Sequence, residues 1–588
     1  MGWDGWLSLG LTLVALMLLI SGRIGAELVM MGVLAILSVS GVLTTSEALA
    51  GFSNSGLITV ALMFVVAAGI QHSGGVDLLV QRLLGRPRSV RGAQARLILP
   101  VLGFSGFLNN TPVVATLIPA LHNWSRRIDV PLSALMIPLS YAAILGGTLT
   151  LIGTSTNLVV NGQYQALTGH SFSLFAITPL GLIVAITGAL FMLLTFQRLL
   201  PVRQSADETF ANPREYTIEV AVAGNGPLVG KTIVEAGLRN LKRIFLVEIE
   251  RDGNIITAVA SRERLQGGDR LVFAGDTEAI LMLHRVNGLV PSTAAEPALS
   301  RQSPERRLVE AVVSPHCECI GQTIRDSRFR ERYGAVVLAV ARNGERIPGN
   351  LGSITLRAAD TLLLEARPAF VRRQRYARDF LLVNDIDEER PRHDRALLAW
   401  AILVAIVIVA ATDLMSMLNA ALVGAALMLL SRSCSPTQAM KSLDLPVLVT
   451  IGASFALGTA LEKTGVAALL ANQTLQLAGD NPWLLLALTY AVVSLLTELI
   501  TNNAAAIIML PLVMALTTQI GVAPEPFVIA VMMAASASFA TPFGYQTNMM
   551  VYGPGGYRYT DFLRAGLPMN ILCGVVTVVA IPWFWPLG

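Results

Sequence analysis

Apolar residues form long runs at both ends of the chain, and the pattern changes between them. Each run approaches or exceeds the roughly 20 residues that a helix needs to cross a bilayer. From about 203 to 393, apolar and polar positions alternate among charges and Gly turns, which predicts a soluble, strand-rich insert. The runs cover 6–22, 27–44, 55–71, 94–121, 131–163 and 174–198, then 396–413, 417–430, 446–462, 483–519, 526–553 and 562–586. We expect an α-helical polytopic membrane protein of about eleven transmembrane helices, interrupted by a small α/β insert.

Two pairs of polar, helix-breaking segments interrupt the apolar sequence. The first pair is 105–112 (SGFLNNTP) with 151–157 (LIGTSTN), and the second is 497–503 (TELITNN) with 540–548 (ATPFGYQTN). Amides, hydroxyls and Gly/Pro breaks are costly in hydrocarbon. Two such pairs in corresponding places predict a solute site at the bilayer midplane of an internally repeated transporter.

Basic residues predict how the hairpins enter the membrane. They flank both ends of the 94–121 run, which places both ends in the cytoplasm and makes the run a re-entrant hairpin. The 483–519 run is flanked by Asp480 and Glu525 with no basic residue nearby, so it should enter from the opposite side. Two hairpins of opposite entry indicate an inverted repeat. The basic residues at the first run are Arg82, Arg86, Arg88, Arg91, Arg96, Arg126 and Arg127.

Other segments agree with this repeat and with a cytoplasmic insert. Residues 71–74 (QHSG) align with 462–465 (EKTG), just before the hairpin of each half. The insert is bracketed by basic residues, which retain it on the cytoplasmic side. These residues are Arg198, Arg203, Arg390, Arg392 and Arg395.

The insert itself is a predicted duplication, because matching residues recur at one fixed spacing. Gly321 lies 91 positions after Gly230, and every other matched pair has the same separation. The other pairs are Thr232 and Thr323, Arg251 and Arg342, Gly253 and Gly344, Leu265 and Leu356, and Asp269 and Asp360. The predicted domains are an N-terminal membrane repeat (1–202), two small α/β domains (209–292 and 305–383) and a C-terminal membrane repeat (394–588).

Composition excludes several protein classes. Hydrophobic residues make up 53% of the 588 residues, charged residues 14%, and the mean hydropathy is +0.61, unlike a soluble protein. A net charge of +4 is too small to indicate nucleic-acid binding. The first apolar run has no basic segment before it, so we expect a retained helix and not a cleaved signal. No Ser-His-Asp pattern, P-loop or HExxH motif indicates an enzyme.

The remaining reactive residues favour ordinary roles. Four cysteines (Cys317, Cys319, Cys434 and Cys573) predict no disulfide framework, and the run from His316 to Cys319 lacks the second ligand pair of a metal site. Glu498 and Asp77 could relay protons, but pairing or snorkelling is the simpler expectation. His72 and Lys463 are expected to anchor helix ends. Arg558, with Tyr557 and Tyr559, is typical of an interfacial belt.

Taken together, the hairpin tips and broken segments resemble the divalent anion/sodium symporter family over nearly the whole chain. The insert segments VGKTIVEAGL, VEIERDG and LQGGDRLVFAG resemble the C-terminal domain of potassium-conductance regulators, called TrkA-C or RCK-C. The resemblance implies a carrier of sulfate, dicarboxylates or tricarboxylates in a bacterial inner membrane. It also implies a homodimer with an elevator-type motion, Na⁺ as the coupling ion and no organic cofactor.

The family's Ser-Asn-Thr hairpin motif resembles Asn109-Asn110-Thr111 and Thr501-Asn502-Asn503 in this chain. The substrate contacts implied by the resemblance are these six residues with Thr154, Thr541 and Pro542. The first implied sodium site comprises Ser105, Asn110 and the carbonyl near Gly153, and the second comprises Thr497, Asn502 and the carbonyl near Ala540. Neutral oxygens suit Na⁺, while half-helix N-termini offer N–H donors to an anion.

The chain departs from the family at the positions that would choose the substrate. Asn109 replaces Ser, Asn503 replaces Thr, and 541–545 reads TPFGY where a more compact run is common. The larger amide at Asn109 shrinks the site and Asn503 adds donors, which favours a compact oxyanion such as sulfate. A proton- or sodium-coupled di- or tricarboxylate transporter, or an exchanger, is the alternative.

A regulated ion channel is a more distant alternative, suggested only by the regulator-like insert. A carbonyl filter such as TVGYG is absent from the sequence, whereas paired hairpins suit alternating access. No Rossmann fingerprint accompanies the insert, so its ligand would be a second messenger or a metal ion, unless it is a scaffold.

Overall fold

A computed structural model describes most of the chain. The described residues are 2–21, 24–75, 83–203, 217–238, 241, 244–251, 254–257, 259, 262–275, 286–291, 307–315, 317–342, 345–347, 351–374, 379–385, 395–412 and 414–587. Seven residues named above lie outside these ranges: Asp77, Arg82, Gly253, His316, Gly344, Arg390 and Arg392.

The apolar runs of the N-terminal half form helices, and two of these runs are divided in the middle. The 94–121 run forms helices α5 and α6, and the 131–163 run forms α7 and α8. Gly, Ser, Thr and Asn occupy both divisions, where their side chains or small size favour turns over helix. The helices are α1 (Trp3–Ser21), α2 (Ala26–Val39), α3 (Thr45–Leu49), α4 (Ser55–His72), α5 (Val90–Ser105), α6 (Asn110–Ile128), α7 (Ser133–Gly147), α8 (Ser155–Thr168) and α9 (Thr178–Leu199).

The insert contains two five-stranded sheets of equal strand order. The first sheet runs β3-β2-β4-β1-β5, and the second runs β8-β7-β9-β6-β10, so each strand has a counterpart five numbers later. The strands are β1 (Thr217–Val222), β2 (Ile244–Arg251), β3 (Asn254–Thr257), β4 (Arg270–Gly275), β5 (Leu289–Pro291), β6 (Arg307–Val313), β7 (Ala335–Arg342), β8 (Glu345–Arg346), β9 (Thr361–Ala366) and β10 (Phe380–Asp385). Helices α10 (Phe329–Tyr333) and α11 (Pro368–Gln374) accompany the second sheet.

The C-terminal half repeats the helical pattern, again with two divided runs. The 483–519 run forms α17 and α18, and the 526–553 run forms α19 and α20. The helices are α12 (Ala396–Ala411), α13 (Met417–Leu430), α14 (Pro436–Ser442), α15 (Leu445–Lys463), α16 (Val466–Ala478), α17 (Pro482–Leu499), α18 (Asn502–Ile520), α19 (Glu525–Ser536), α20 (Gln546–Tyr552) and α21 (Tyr559–Phe584).

Helix length and surface make this a polytopic membrane protein. Among the described residues, seven helical segments are long and apolar enough to cross a bilayer, and five shorter apolar helices accompany them. Large apolar side chains project outward from α9 and α21 at four-residue spacing, a surface that suits lipid and not water. They are Leu182, Ile186, Leu190 and Leu194 on α9, and Leu563, Leu567, Ile571, Val575 and Val579 on α21. The re-entrant course of the hairpins and the number of spans stay predictions.

Two short helices join the membrane halves to each other. Helices α3 and α14 both begin with a capping box, in which side chains satisfy free N–H groups at the helix start. Glu47 on α3 pairs with Lys463 at the end of α15 (Oε2–Nζ 2.8 Å). Gln438 on α14 meets His72 at the end of α4 (Nε2–Nδ1 3.4 Å). In the repeat, Gln438 corresponds to Glu47, and Lys463 corresponds to His72. The two contacts are therefore equivalent, and each joins the end of a long helix in one half to a short helix in the other half.

Each sheet of the insert contains one buried Arg–Asp pair at the same place. Arg251 donates to both carboxylate oxygens of Asp269 (2.8 and 2.9 Å), and Arg342 does the same to Asp360 (both 2.7 Å). Both Asp side chains are 1% exposed. Hydrogen bonding to these carboxylates raises the pKa of each guanidinium. The pairs hold the turn before β4 and β9 against β2 and β7.

The cysteines differ in one respect from the sequence expectation. Cys317 and Cys319 form a disulfide, because the turn that follows β6 brings the two buried side chains together. Only one residue separates them, so the bond links no distant parts of the fold and no disulfide framework results. Cys434 and Cys573 are free and buried. No group of potential metal ligands occurs within the described part of the chain.

Candidate functional site

The two hairpin tips share one hydrogen-bond pattern. In the first, the Ser105 hydroxyl donates to the Asn110 side-chain oxygen (2.6 Å), across the turn between α5 and α6. In the second, the Thr497 hydroxyl donates to the Asn502 side-chain oxygen (3.0 Å), between α17 and α18. Both bonds join residues five positions apart. Each tip thus presents an amide that is oriented by a hydroxyl from the preceding helix.

The two divided helices also share one pattern. Asn157 donates its amide hydrogens to the carbonyl oxygens of Gly147 (3.3 Å) and Thr150 (3.2 Å), ten and seven residues earlier. Asn548 does the same to carbonyls ten and seven residues earlier, at 3.0 and 3.1 Å. A helix that stops inside apolar surroundings leaves carbonyls without partners. One buried Asn at each break supplies those partners. The carbonyls that accept from Asn548 are those of Ser538 and Thr541.

Each hairpin tip contacts the divided helix of the other half. The Thr111 hydroxyl of the first tip donates to the Gln546 side-chain oxygen (3.1 Å) at the start of α20. The Asn503 side chain of the second tip bonds Ser155 (3.4 Å) and Thr156 (3.1 Å) at the start of α8. The tips and breaks of both halves therefore meet in one polar cluster, which we call the central cluster. It consists of residues 105–111, 147–157, 497–503 and 535–548.

The Tyr545 hydroxyl lies at the middle of the central cluster. Its oxygen accepts from Asn110 Nδ2 (2.6 Å) and lies 3.3 Å from Thr154 Oγ1. The Asn502 side chain of the second tip adjoins it. One side chain thus contacts both hairpin tips and the first divided helix.

Glycines allow oxygen atoms to converge around the first tip. A Cβ on Gly147 would lie 2.7 Å from Asn110 Oδ1, and a Cβ on Gly153 would lie 2.9 Å from the Ser105 carbonyl oxygen. Such distances leave no space for a side chain, so only glycine fits there. Oxygens of Ser105, Asn110 and the first break are thereby gathered in one small volume, a set that suits Na⁺.

A second group of oxygens surrounds the other tip. The Thr497 hydroxyl also donates to the Ala535 carbonyl (2.8 Å). The Ser538 hydroxyl is fully buried and has no hydrogen-bond partner among the described residues, and it faces Gly544. The register set by the Asn157 and Asn548 contacts pairs Gly544, and not Ala540, with Gly153. The second oxygen group thus contains Thr497 and Asn502, and Ser538 adds a buried hydroxyl at the second break.

Glu498 holds the backbone of the second break. Its carboxylate accepts the N–H groups of Ala540 and Thr541 (both 3.0 Å), the Thr541 hydroxyl (2.8 Å) and the Asn570 amide (2.7 Å). Four donors around one carboxylate fit an acceptor-only group. The side chain pairs locally, as the simpler sequence expectation had it, and serves to position 540–541.

The remaining predicted residues lie at the edge of the central cluster. Asn109 caps α6 through the Thr111 N–H (3.5 Å), and it lines a small, mostly apolar cavity beside α4 together with Ser155. Pro542 is buried in the turn after Thr541. Thr501 is exposed, and within the described residues its side chain makes no hydrogen bond to the cluster.

Sequence reasoning missed several members of the central cluster. Tyr545, Gln546, Asn157 and Asn548 carry its main contacts, but attention to the hairpin motif left them out. The repeat itself could have identified them, because GTSTN at 153–157 aligns with GYQTN at 544–548. That alignment places an Asn at the end of both breaks.

The central cluster contains no basic side chain. Among the described residues of the membrane helices, no Lys or Arg is buried, and the donors and acceptors around the tips are amides, hydroxyls, backbone groups and the Glu498 carboxylate. An anion held here lacks a protein countercharge. The cluster can offer hydrogen bonds to an anion and oxygen ligands to cations.

The sequence is similar to known transporters along its whole length. A family model described as "Citrate transporter" matches residues 16–532 and 408–586. A candidate sulfur deprivation response regulator of Chlamydomonas reinhardtii is 35% identical, over 97% of this chain and 100% of its own. An uncharacterized transporter of Synechocystis is 34% identical, over 93% of this chain and 91% of its own. Sodium/sulfate cotransporter 2 of Chlamydomonas reinhardtii is 27% identical, over 98% of this chain and 89% of its own. With the match covering most of the chain, this multi-pass membrane protein belongs to the citrate transporter family of membrane carriers.

Proposed function

We propose that the chain is a secondary transporter that couples the symport of a small divalent anion, with sulfate favoured, to sodium. The observation that carries this proposal is the central cluster, where both hairpin tips and both breaks meet through neutral polar groups. A solute bound there contacts both halves of the repeat. Alternating access needs such a shared site, because motion of one part against another then exposes it to either side.

Charge supports sodium as the coupling ion. Moving an isolated dianion from water into a dry site without a basic side chain costs far more than hydrogen bonds return. The two oxygen groups at the tips, Ser105 with Asn110 and Thr497 with Asn502, suit Na⁺ and adjoin the proposed anion position. Bound Na⁺ would neutralise the dianion. The Ser538 hydroxyl, buried without a partner among the described residues, is a further ligand for the second ion.

The identity of the anion rests on two different indications. A relative that aligns with nearly the whole chain is named as a sodium/sulfate cotransporter. The family description names citrate, which keeps di- and tricarboxylates as the second candidate. We favour sulfate because the Tyr545 side chain reaches across the central cluster to Asn110 and Thr154, and we expect it to limit the length of a bound acid.

We further propose that the insert is a cytoplasmic regulatory unit of two TrkA-C-like domains, in a homodimer that moves by an elevator mechanism. The second sheet adjoins the C-terminal membrane half. A Cβ on Gly553, just after α20, would lie 3.3 Å from the Ala359 carbonyl oxygen of the insert. Arg203, at the entry to the insert, donates to both carboxylate oxygens of Asp561 at the start of α21 (3.0 and 3.1 Å).

Through these contacts the insert can influence the transport site, although it contributes no residue to that site. The second sheet touches the loop that follows α20, and α20 begins with Gln546 of the central cluster. Labelling from outside intact cells tests the location of the insert: a cysteine placed at Asp252 should stay unlabelled. Labelling at that position would overturn the cytoplasmic assignment.

Uptake into proteoliposomes tests the transport proposal. Vesicles containing the purified chain receive labelled sulfate, succinate or citrate with an inward gradient of Na⁺, and choline replaces Na⁺ in the control. We expect sulfate uptake that requires Na⁺ and exceeds uptake of the organic acids. Equal uptake in choline would contradict sodium coupling, and preferred uptake of succinate or citrate would transfer the proposal to the second candidate.

A further inference from the structure

Tyr545 breaks the symmetry between the two halves. The contacts of Asn157 and Asn548 align the two breaks, and this alignment pairs Tyr545 with Thr154. Other cluster contacts obey the same register, since Thr111 with Gln546 is matched by Asn503 with Ser155. The first half therefore has the short hydroxyl of Thr154 at the position where the second half has the longer, aromatic side chain of Tyr545.

The extra length carries the Tyr545 hydroxyl to both hairpin tips. Its oxygen accepts from Asn110 Nδ2 at 2.6 Å, and the Asn502 side chain adjoins it. A phenol has two acceptor positions and one O–H donor. With the Asn110 amide at one acceptor position, the O–H donor is left for the Thr154 hydroxyl, 3.3 Å away, or for an anion oxygen. The side chain is 8% exposed, so water competes little for that donor.

We propose that Tyr545 determines which anion the site accepts. Its ring occupies the space between the tips, which limits the length of the solute, and its O–H donates to one oxygen of a compact tetrahedral dianion. The inference rests on the proposed function, since it concerns the solute site of the same carrier. It goes further by assigning anion size selection to one side chain that no hairpin motif contains.

Two substitutions separate the roles of the ring and the hydroxyl. Tyr545→Phe keeps the ring and removes the donor, so sulfate should bind more weakly. A hydrogen bond to a charged group is worth roughly 10- to 150-fold in affinity, and we expect a rise in KM of that order. Tyr545→Thr restores the residue of the matching position in the other half and removes the ring. This variant should gain uptake of succinate relative to sulfate.

A matched control distinguishes selection from mere support of the fold. Tyr141 is fully buried, and its hydroxyl donates to the Phe539 carbonyl (2.6 Å), beside the second break but away from the tips. Tyr141→Phe therefore removes a comparable buried hydroxyl. A structural effect lowers the maximal rate for every anion alike, so the succinate-to-sulfate ratio should stay constant in this control.

The experiment measures uptake of labelled sulfate, succinate and citrate by the wild-type chain and the three variants in proteoliposomes, normalised to folded protein. Wild-type uptake alone tests the proposed function, whereas the change of the succinate-to-sulfate ratio between wild type and Tyr545→Thr tests the present inference. A raised ratio supports it even if wild type prefers a dicarboxylate. An unchanged ratio in Tyr545→Thr, or an equal loss for all anions in Tyr545→Phe, overturns it, as does the absence of uptake by both wild type and Tyr545→Thr.

Discussion

Replacing the tip amides one at a time tests the assigned site. Asn110 is 1% exposed and bonded to Ser105 Oγ and to the Tyr545 hydroxyl, both at 2.6 Å. Asn110→Ala leaves both partners buried without this amide, and each such group costs about 1–3 kcal/mol. The expected loss of stability is therefore about 2–6 kcal/mol, against about 5–15 kcal/mol for a typical folded protein. Folded protein should remain, with a lower midpoint of thermal unfolding.

The matching substitution at the second tip should have a smaller effect on stability but the same effect on transport. Asn502 is only half-buried, so Asn502→Ala should cost less stability than Asn110→Ala. Both variants should lose sodium-coupled uptake, because each removes an oxygen ligand that water does not replace cheaply in a dry site. The assay combines thermal unfolding in detergent with uptake at a series of Na⁺ concentrations.

Asn161 provides a control, because it is an Asn outside the central cluster that also makes a hydrogen bond. Asn161 lies on α8 outside the central cluster, where its side-chain oxygen accepts the Phe172 N–H (2.8 Å). Asn161→Ala removes an amide of the same kind, and its uptake should keep the sodium response of the unmutated chain. If Asn110→Ala or Asn502→Ala transports at nearly the rate of the unmutated chain and with a normal sodium response, the hairpin tips are not the proposed binding sites.

Three further predictions concern the packing of the site and the role of the insert. Gly147→Ala should abolish sodium-dependent uptake in folded protein, since its Cβ would lie 2.7 Å from Asn110 Oδ1; normal uptake would show that the tip tolerates displacement. Gly553→Val should separate the insert from the α20–α21 loop by a clash with the Thr361 side chain, changing the rate of uptake but not the preferred anion, and a switch of anion would contradict that separation. Replacing 209–383 by a flexible linker should preserve sodium dependence and selectivity while altering rate, with stability checked by size-exclusion chromatography; a stable variant that loses sodium dependence would make the insert part of the transport site.

The sequence predicted the membrane helices well, because hydrocarbon enforces simple patterns. A lipid-facing helix must be long and apolar, and every backbone group inside the bilayer must find a partner. The interruptions at 105–112, 151–157, 497–503 and 540–548 therefore stood out, and all four coincide with turns between helices. The short helix α16 and the pairing of α3 and α14 with the opposite half were not foreseen.

The candidate site was predicted only in part, because its contacts depend on tertiary structure. The pairs Ser105–Asn110 and Thr497–Asn502 are local in sequence and could be inferred from the repeat. The bond between Asn110 and Tyr545 spans 435 residues, and no local pattern indicates it. The register of the repeat would have indicated Tyr545. The same register shows that Gly544, and not Ala540, is the counterpart of Gly153.

The dependence of sulfate binding on sodium tests the central claim most directly. The purified chain in detergent is titrated with sulfate by calorimetry, once in Na⁺ and once in choline at equal ionic strength. Since the central cluster holds no buried Lys or Arg among its described residues, we predict sulfate binding in Na⁺ and at least a hundredfold weaker binding in choline, a difference of about 2.7 kcal/mol. Equal sulfate affinity in the two solutions would contradict the account, because the dianion would then be held without the cations that a site lacking basic side chains requires.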